Sequence, residues 1–271
     1  MEINIINCFC TKEANSGNPA AIVDRFTANS NEKQKLAKEL GMPVTVFLSE
    51  VINGSCHVEF FYPDTEMPLC LHGTIGAAYF LLQRYDIHNP VLIAKNENKL
   101  IIRNEDNIIQ VLVSAQQAPK VILNKTVICK MLNLSDADQI ENVLPLTVSS
   151  VGSPKFLVPV SSFALLAALN PNFDLITKWS VEHAVNGLYV YTKDSQDSAL
   201  NFYARGFNPK TGHNEDAATG VAAAALALSL QQSIVVGQGI FIQRPSAINV
   251  SYENSQTIWV GGRAVFVSNL K

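Results

Sequence analysis

The run Val221-Ala222-Ala223-Ala224-Ala225-Leu226-Ala227-Leu228-Ser229-Leu230 is rich in helix-forming residues and has no polar side. A helix that is apolar all round has to be buried, so the rest of the fold must wrap around it. It is too short to cross a membrane, which takes about 20 residues. A second segment of this kind, Thr74–Arg84, lies half a chain earlier. Each follows a turn of small residues, Cys70-Leu71-His72-Gly73 in one case and Ala217-Ala218-Thr219-Gly220 in the other. Superposing the turns gives an internal duplication. Each half is expected to wrap a sheet around one central helix, the two helix starts facing each other across a cleft.

The surrounding pattern is strand-rich. Residues 2–10 alternate as a half-buried strand, and Ser16-Gly17-Asn18-Pro19 is a turn before the strand Ala20–Val23. Asn29 and Glu32 form a capping-box pair for a helix that stops at Gly41. Val44–Val51 and Cys56–Tyr62 read as strands joined at Asn53-Gly54. After the first central helix, strands are expected at Val91–Ala94, Leu100–Arg103 and Ile108–Val113. In the second half they are expected at Val121–Leu123, Phe156–Val160, Gly187–Tyr191 and Leu200–Ala204, with five more after Leu230. Helices are expected after Ser135-Asp136 and from Ser162 through Leu169. This order predicts an α+β class, not a doubly wound parallel sheet. Ser114–Pro119 is the expected linker. It gives an N-terminal domain of residues 1–115 and a C-terminal domain of 119–261, with the last strand, about 262–271, returning to the first.

Composition excludes several classes. At 271 residues, 48% hydrophobic and 16% charged, the chain has material for a sizeable core. Its net charge of −3 and lack of a basic run argue against a nucleic-acid partner. Met1–Asn7 has neither a basic region nor a long apolar core, so no leader, no membrane association and a cytoplasmic location are expected. Five cysteines without metal-ligand spacing predict neither a disulfide framework nor a metal site. Cys8 and Cys10, two apart on a strand, are expected on one side as core packing, and Cys56 and Cys129 are expected in strands.

The chemistry is expected at the two helix starts. A buried helix start presents unpaired N–H groups and a partial positive charge, which suits carboxylates and phosphates. Gly73 leaves room for a ligand to approach. A thiol, Cys70, and an imidazole, His72, stand at the first turn, and a helix start favours the reactive thiolate.

Several ordered segments resemble the phenazine-biosynthesis isomerase (PhzF-like) family, which shares the diaminopimelate epimerase fold. Gly17-Asn18-Pro19-Ala20-Ala21-Ile22 is similar to its GNPAAVV. Pro63 through Thr74, with Glu66, Cys70 and His72, is similar to P-x-x-E-x-x-x-C-G-H-A-T. Arg205–Pro209, Gly212 and Glu215–Gly220 are similar to R-x-F-x-P…G…E-D-P-x-T-G-S. Arg244-Pro245-Ser246 and Gly261–Val265 are similar to the last two signatures. The resemblance implies two pseudo-symmetric domains, a cofactor-independent isomerase or epimerase of a small carboxylic acid, and a homodimer. It implies catalytic roles for His72, Asp216 and Cys70. Asn18, Leu71, Gly73, Thr74, Thr219, Gly220 and Val221 are the implied substrate contacts, and Glu66 and Glu215 are further proton-carrier candidates.

The departures bear on chemistry. The family's proton-shuttling glutamate lies in an S-E-T-A-F-like run, which reads Pro43-Val44-Thr45-Val46-Phe47 here, so Val44 stands at its position. Leu71 replaces a glycine, Val221 replaces a serine, and Ala217 stands where the two-cysteine racemases carry their second cysteine. The alternative to an isomerase is therefore a non-catalytic carboxylate-binding protein on the same scaffold.

Overall fold

The computed structural model describes residues 2–194 and 196–270. The chain divides into two compact units, one running up to Leu112 and including the stretch from Gly261, the other spanning Val113–Val260. In the first unit β1 (Ile3–Cys10) pairs antiparallel with β2 (Asn18–Asp24). A helix, α1 (Ser30–Leu40), crosses over to β3 (Val44–Leu48), which is parallel to β2. β4 (Ser55–Tyr62) and β5 (Thr65–Met67) follow antiparallel. Then come the central helix α2 (Leu71–Tyr85) and β6 (Val91–Ala94), which lies parallel to β4. β7 (Asn98–Leu100), β8 (Ile102–Glu105) and β9 (Ile108–Val113) complete the run.

The second unit repeats this plan. A helix, α3 (Lys125–Leu132), leads to β10 (Thr147–Ser149), antiparallel to β11 (Lys155–Pro159). Two helices, α4 (Phe163–Ala168) and α5 (Phe173–Glu182), make the crossover to β12 (Leu188–Thr192), parallel to β11. β13 (Phe202–Asn208) and β14 (His213–Asp216) follow antiparallel. The central helix α6 (Gly220–Leu230) leads to β15 (Ile234–Gln238), parallel to β13, and then to β16 (Ser246–Asn254). The last strand, β17 (Thr257–Leu270), ends paired antiparallel with β1, Ile3 opposite Leu270. The α+β class read from the sequence is the class observed.

Local chemistry explains most element ends. Asn29 and Glu32 form the reciprocal cap of α1, and Gly41 closes it in the left-handed region. Gly17 sits at φ +86°, where a Cβ would lie 2.7 Å from the Cys8 carbonyl oxygen, so the turn into β2 requires glycine. Other expectations give way. α2 begins at Leu71, three residues before Thr74, so His72 and Gly73 lie in its first turn. Residues 121–123 form no strand; Asn124 instead caps α3, which contains Cys129. After Ser135-Asp136 there is one 3-10 turn, Ala137–Gln139, rather than a helix. The expected alternation of Cys8 and Cys10 is broken by a bulge at Phe9, whose φ is +62°. Among the described residues, no helix is long and apolar enough to cross a membrane.

Both central helices are enclosed. In α6 every residue from Ala222 to Ala227 is buried, and in α2 Ile75, Phe80 and Leu81 are buried. Gly76 lets α2 come close to β2, since a Cβ there would meet Ala20, Cys8 and Ile22 at 3.3 Å. The opposite face of the second sheet packs Phe156, Val158, Leu188, Val190 and Phe207 against Ile128, Leu132, Leu166 and Ile176 of α3, α4 and α5.

A buried ion pair ties that outer layer to the hairpin before α6. Arg205 donates from Nε and Nη2 to the two Glu215 carboxylate oxygens at 2.9 and 2.7 Å. Its Nη1 donates to the Leu166 and Leu169 carbonyls at 3.1 and 3.0 Å, and its guanidinium lies 5.0 Å from the Phe207 ring centroid. Glu215, a proton-carrier candidate in the sequence, is thus engaged structurally. Removing one partner strands a charge, so Arg205→Met should cost about 3–5 kcal/mol in urea unfolding. The double variant Arg205→Met/Glu215→Met should recover most of that loss. Equal stability of the single variant and the unmodified chain would contradict this account.

Candidate functional site

The first helix start is built on an extended Cys70, the N-cap of α2, at φ −144° and ψ 111°. Its carbonyl accepts both the Thr74 N–H and the Thr74 hydroxyl, each at 2.8 Å. Thr74 therefore fixes the turn with its own donors, and the first-turn N–H groups ahead of it are those of Leu71, His72 and Gly73. The Cys70 sulfur lies 3.2 Å from His72 Nδ1 and accepts the Tyr62 hydroxyl at 3.7 Å. Thiol, imidazole and phenol thus meet at a helix start that has no acidic residue in its first turn. Cys70, Leu71 and His72 are all buried.

Gly73 has a packing reason that the sequence did not reveal. A Cβ there would lie 3.0 Å from both Phe60 Cδ1 and Val46 Cγ2, so the glycine lets α2 sit on β3 and β4. Val44, the first residue of β3, pairs with Ala20 and shares a strand face with Val46, two positions on. It is fully buried. Asn18, the first residue of β2, is also buried. Glu66 is ion-paired with Lys95 at 3.0 Å.

At the second start the Thr219 carbonyl accepts the Ala222 and Ala223 N–H groups at 2.9 and 3.1 Å, and side chains hold the residues before it. Thr219 is the N-cap of α6, and its hydroxyl donates to Asp216 Oδ2 at 2.8 Å. Its N–H donates to Gln238 Oε1 at 3.1 Å, and Gln238 Nε2 donates to the Asp216 carbonyl at 2.7 Å. This network keeps Ala218 and Thr219 out of the helix. Consequently, with Cys70 matched to Ala217, the two helices start two residues out of step, at Leu71 and Gly220. The spare donors here are the N–H groups of Gly220 and Val221. Gly206, opposite Asp216 in the ladder, leaves the space that Thr219 and Gln238 fill, at 2.7 and 3.0 Å from where its Cβ would be.

Lys155 was not singled out in the sequence, yet it belongs to this region. It opens β11, is 4% exposed, and its Nζ donates to the Asn186 carbonyl. Burial lowers its pKa from 10.5 to about 8, against an opposing pull from the Asp216 charge. Tyr189 is fully buried nearby; burial and the Asp216 charge both push its phenol up. The signal available was the repeat itself: Gly152-Ser153-Pro154-Lys155 matches Gly17-Asn18-Pro19-Ala20, with an amine in place of a methyl.

Residues 6–269 match the profile of a family described as phenazine biosynthesis-like protein. An uncharacterized isomerase of Clostridium acetobutylicum is 30% identical over 227 residues, 78% of this chain and 72% of that one. The crystal structure of a Bacillus anthracis phenazine biosynthesis protein of the PhzF family superposes with a TM-score of 0.87 at 23% identity, covering 100% of this chain and 98% of that one. A hydroxyproline epimerase from Agrobacterium vitis shares the fold at a TM-score of 0.61 and 12% identity, covering 100% and 91%.

The buried lysine has a measurable consequence. Between about pH 8 and 10.5 the unfolded lysine holds its proton and the folded one has released it. The unfolded state binds more protons in that window, so stability rises with pH there, by at most about 3 kcal/mol. Lys155→Met abolishes the effect. Urea unfolding from pH 7 to 10.5 should show the unmodified chain gaining on the variant through this window; parallel profiles would refute it.

Proposed function

The chain belongs to the phenazine biosynthesis-like family, and from that premise we propose that it is a cofactor-independent isomerase or epimerase. It moves a proton on a small carboxylic acid, bound as the family's fold implies in the cleft between the two domains. A cytoplasmic homodimer is part of the same reading. The observation that carries it is the Cys70–His72 couple, 3.2 Å apart on the first turn of a buried helix with no acidic residue in that turn.

The step needs no net oxidation. A C–H bond next to the conjugated carboxylate breaks, and the proton passes to a base. Its electron pair spreads into the π system and the carboxylate, and the proton returns to a different carbon or the opposite face. In this reading the N–H groups of Leu71, His72 and Gly73, with those of Gly220 and Val221, bind the carboxylate and stabilise the charge that builds on it. His72 and Cys70 are the proton-carrying pair of the first start. Asp216, held by Thr219, serves the second.

One observation favours the second reading, a carboxylate-binding protein without turnover. Val44 is fully buried among apolar side chains and carries no proton. Solvent exchange separates the two readings. An isomerase incorporates deuterium from D2O into its acid; a binder shifts the melting temperature without exchange.

On the cyclohexadiene acid that phenazine-type relatives isomerise, the unmodified chain should exchange slowly or not at all. Val44→Glu should raise that rate by about 10²–10⁴-fold, the usual yield of a positioned acid–base group. His72→Ala should abolish exchange on any acid the unmodified chain accepts. Fast turnover of the cyclohexadiene acid by the unmodified chain would overturn the assignment of Val44 to the shuttle position.

A further inference from the structure

Tyr62 ends β4 two residues after Phe60, so the two side chains share a face. Phe60 is part of the floor under Gly73 of α2, 3.0 Å from where a Cβ would be. Tyr62 therefore lies under the same helix start, and its hydroxyl donates to Cys70 Sγ at 3.7 Å. The backbone that carries the phenol is fixed twice. Tyr62 pairs with Thr65 in the hairpin of β4 and β5. From α1, Gln34 Nε2 donates to the Tyr62 and Pro63 carbonyls at 2.9 Å each. The sulfur that receives the phenol is the one lying 3.2 Å from His72 Nδ1.

The repeat supplies a comparison. Matching Gly17–Ala20 to Gly152–Lys155 puts Ala21 on Phe156. Their ladder partners then match, Thr45 with Leu188 and Phe61 with Phe207. One residue on, Tyr62 falls on Asn208, and Cys70 falls on Ala217. Phenol and thiol are thus present together in one unit and absent together from the other, at equivalent backbone positions.

The proton of the Cys70–His72 couple has two places to sit. Either the thiol donates S–H to a neutral imidazole, or an imidazolium donates N–H to a thiolate. Tyr62 donates to the sulfur in both, but a hydrogen bond to a charged acceptor is about twice as strong as one to a neutral acceptor. The phenol therefore favours the thiolate, and the helix start acts in the same direction. Few other titratable groups of this unit face the couple. Of the strands against α2, β3 has none, and the one on β2, Asp24, accepts the Tyr85 hydroxyl at 2.6 Å near the far end of the helix. β1 brings Cys8 and Cys10. Burial holds the Cys8 thiol well above the usual cysteine range, so it stays neutral, and the Cys10 thiol donates to the Asn7 carbonyl at 3.3 Å. On β4 and β5, Glu59 is paired with Lys33 and Glu66 with Lys95, while His57 is exposed near the other end of β4. On α2 itself Tyr79, Arg84 and Tyr85 lie further along the helix.

We propose that Tyr62 is a positioning residue of the first helix start: its hydroxyl holds the Cys70 sulfur against His72 and draws the couple's proton from the sulfur to the imidazole. Tyr62 keeps its own proton throughout. Cys70 then takes a proton as thiolate, and His72 gives one as imidazolium. This rests on the reading of the couple as the proton-carrying pair of the site.

The test follows the proton directly in the full chain, labelled with 13C at cysteine Cβ and histidine Cε1. The two signals are identified by their absence in Cys70→Ser and His72→Gln. Tyr62→Phe keeps the ring and removes only the donor. It should need a pH about one unit higher to reach the same Cys70 thiolate signal as the unmodified chain. Over the same interval its His72 signal should show less imidazolium, because the two groups titrate as a pair. Superimposable curves, or a displacement to lower pH, overturn the proposal; a phenol that only fills space would lower stability and leave both curves in place. Deuterium exchange into an accepted acid tests the isomerase reading separately. A chain that exchanges no acid overturns the use of the couple in turnover, while the titration still decides what Tyr62 does to it.

Discussion

A helix without a polar face can exist in water only if something encloses it, and in each unit that requirement sets the architecture. Nearly every residue of α6 is alanine, leucine or valine, so there is no side on which it can meet solvent. Small side chains let strands approach from several directions. Gly76 does this in α2, where Ala20, Cys8 and Ile22 close in at contact distance. A sheet that curls around a helix presents its outer face to a second layer, which α3, α4 and α5 supply in the second unit. The curl also leaves the helix start as the place where backbone donors remain unspent, and the polar chemistry gathers there.

The two starts differ in the side chains that surround them. At α2 the cap is a backbone carbonyl satisfied by Thr74, which leaves the thiol and imidazole of Cys70 and His72 next to each other. At α6 the Thr219 carbonyl is satisfied by Ala222 and Ala223, and a side-chain network of Asp216, Thr219 and Gln238 holds the residues before the helix, with the Arg205–Glu215 pair on the neighbouring strand face. Duplication supplied one backbone plan, and substitution filled it unequally. Val44 and Ala20 make one half apolar where Lys155 makes the other basic. Function read from one half would not transfer to the other, which is the general reason that fold alone does not give substrate.

Much of this was legible along the chain because it depends on local rules. The apolar helices, the capping box at Asn29 and Glu32, the glycine turn before β2 and the α+β order all follow from periodicity and turn chemistry, which neighbours reinforce and do not overturn. Less legible were segments whose conformation depends on partners far away in the chain. Residues 121–123 look strand-like but form no strand, and α3 depends on burying Ile128, Met131 and Leu132 in a core assembled from β11, β12 and β13.

The sequence by itself determined that two buried helices had to be wrapped, and it placed Cys70, His72, Asp216 and Thr219 at their starts, because helix ends are marked by local signals. Only the tertiary structure decided what those residues touch. It made Gly73 a packing requirement of Phe60 and Val46, turned Glu215 into the partner of Arg205, committed the donors of Thr74 to the Cys70 carbonyl, and buried Lys155 with its amine on the Asn186 carbonyl. Those outcomes come from strand register and from which face each side chain takes, and neither is fixed until strands distant in sequence have paired.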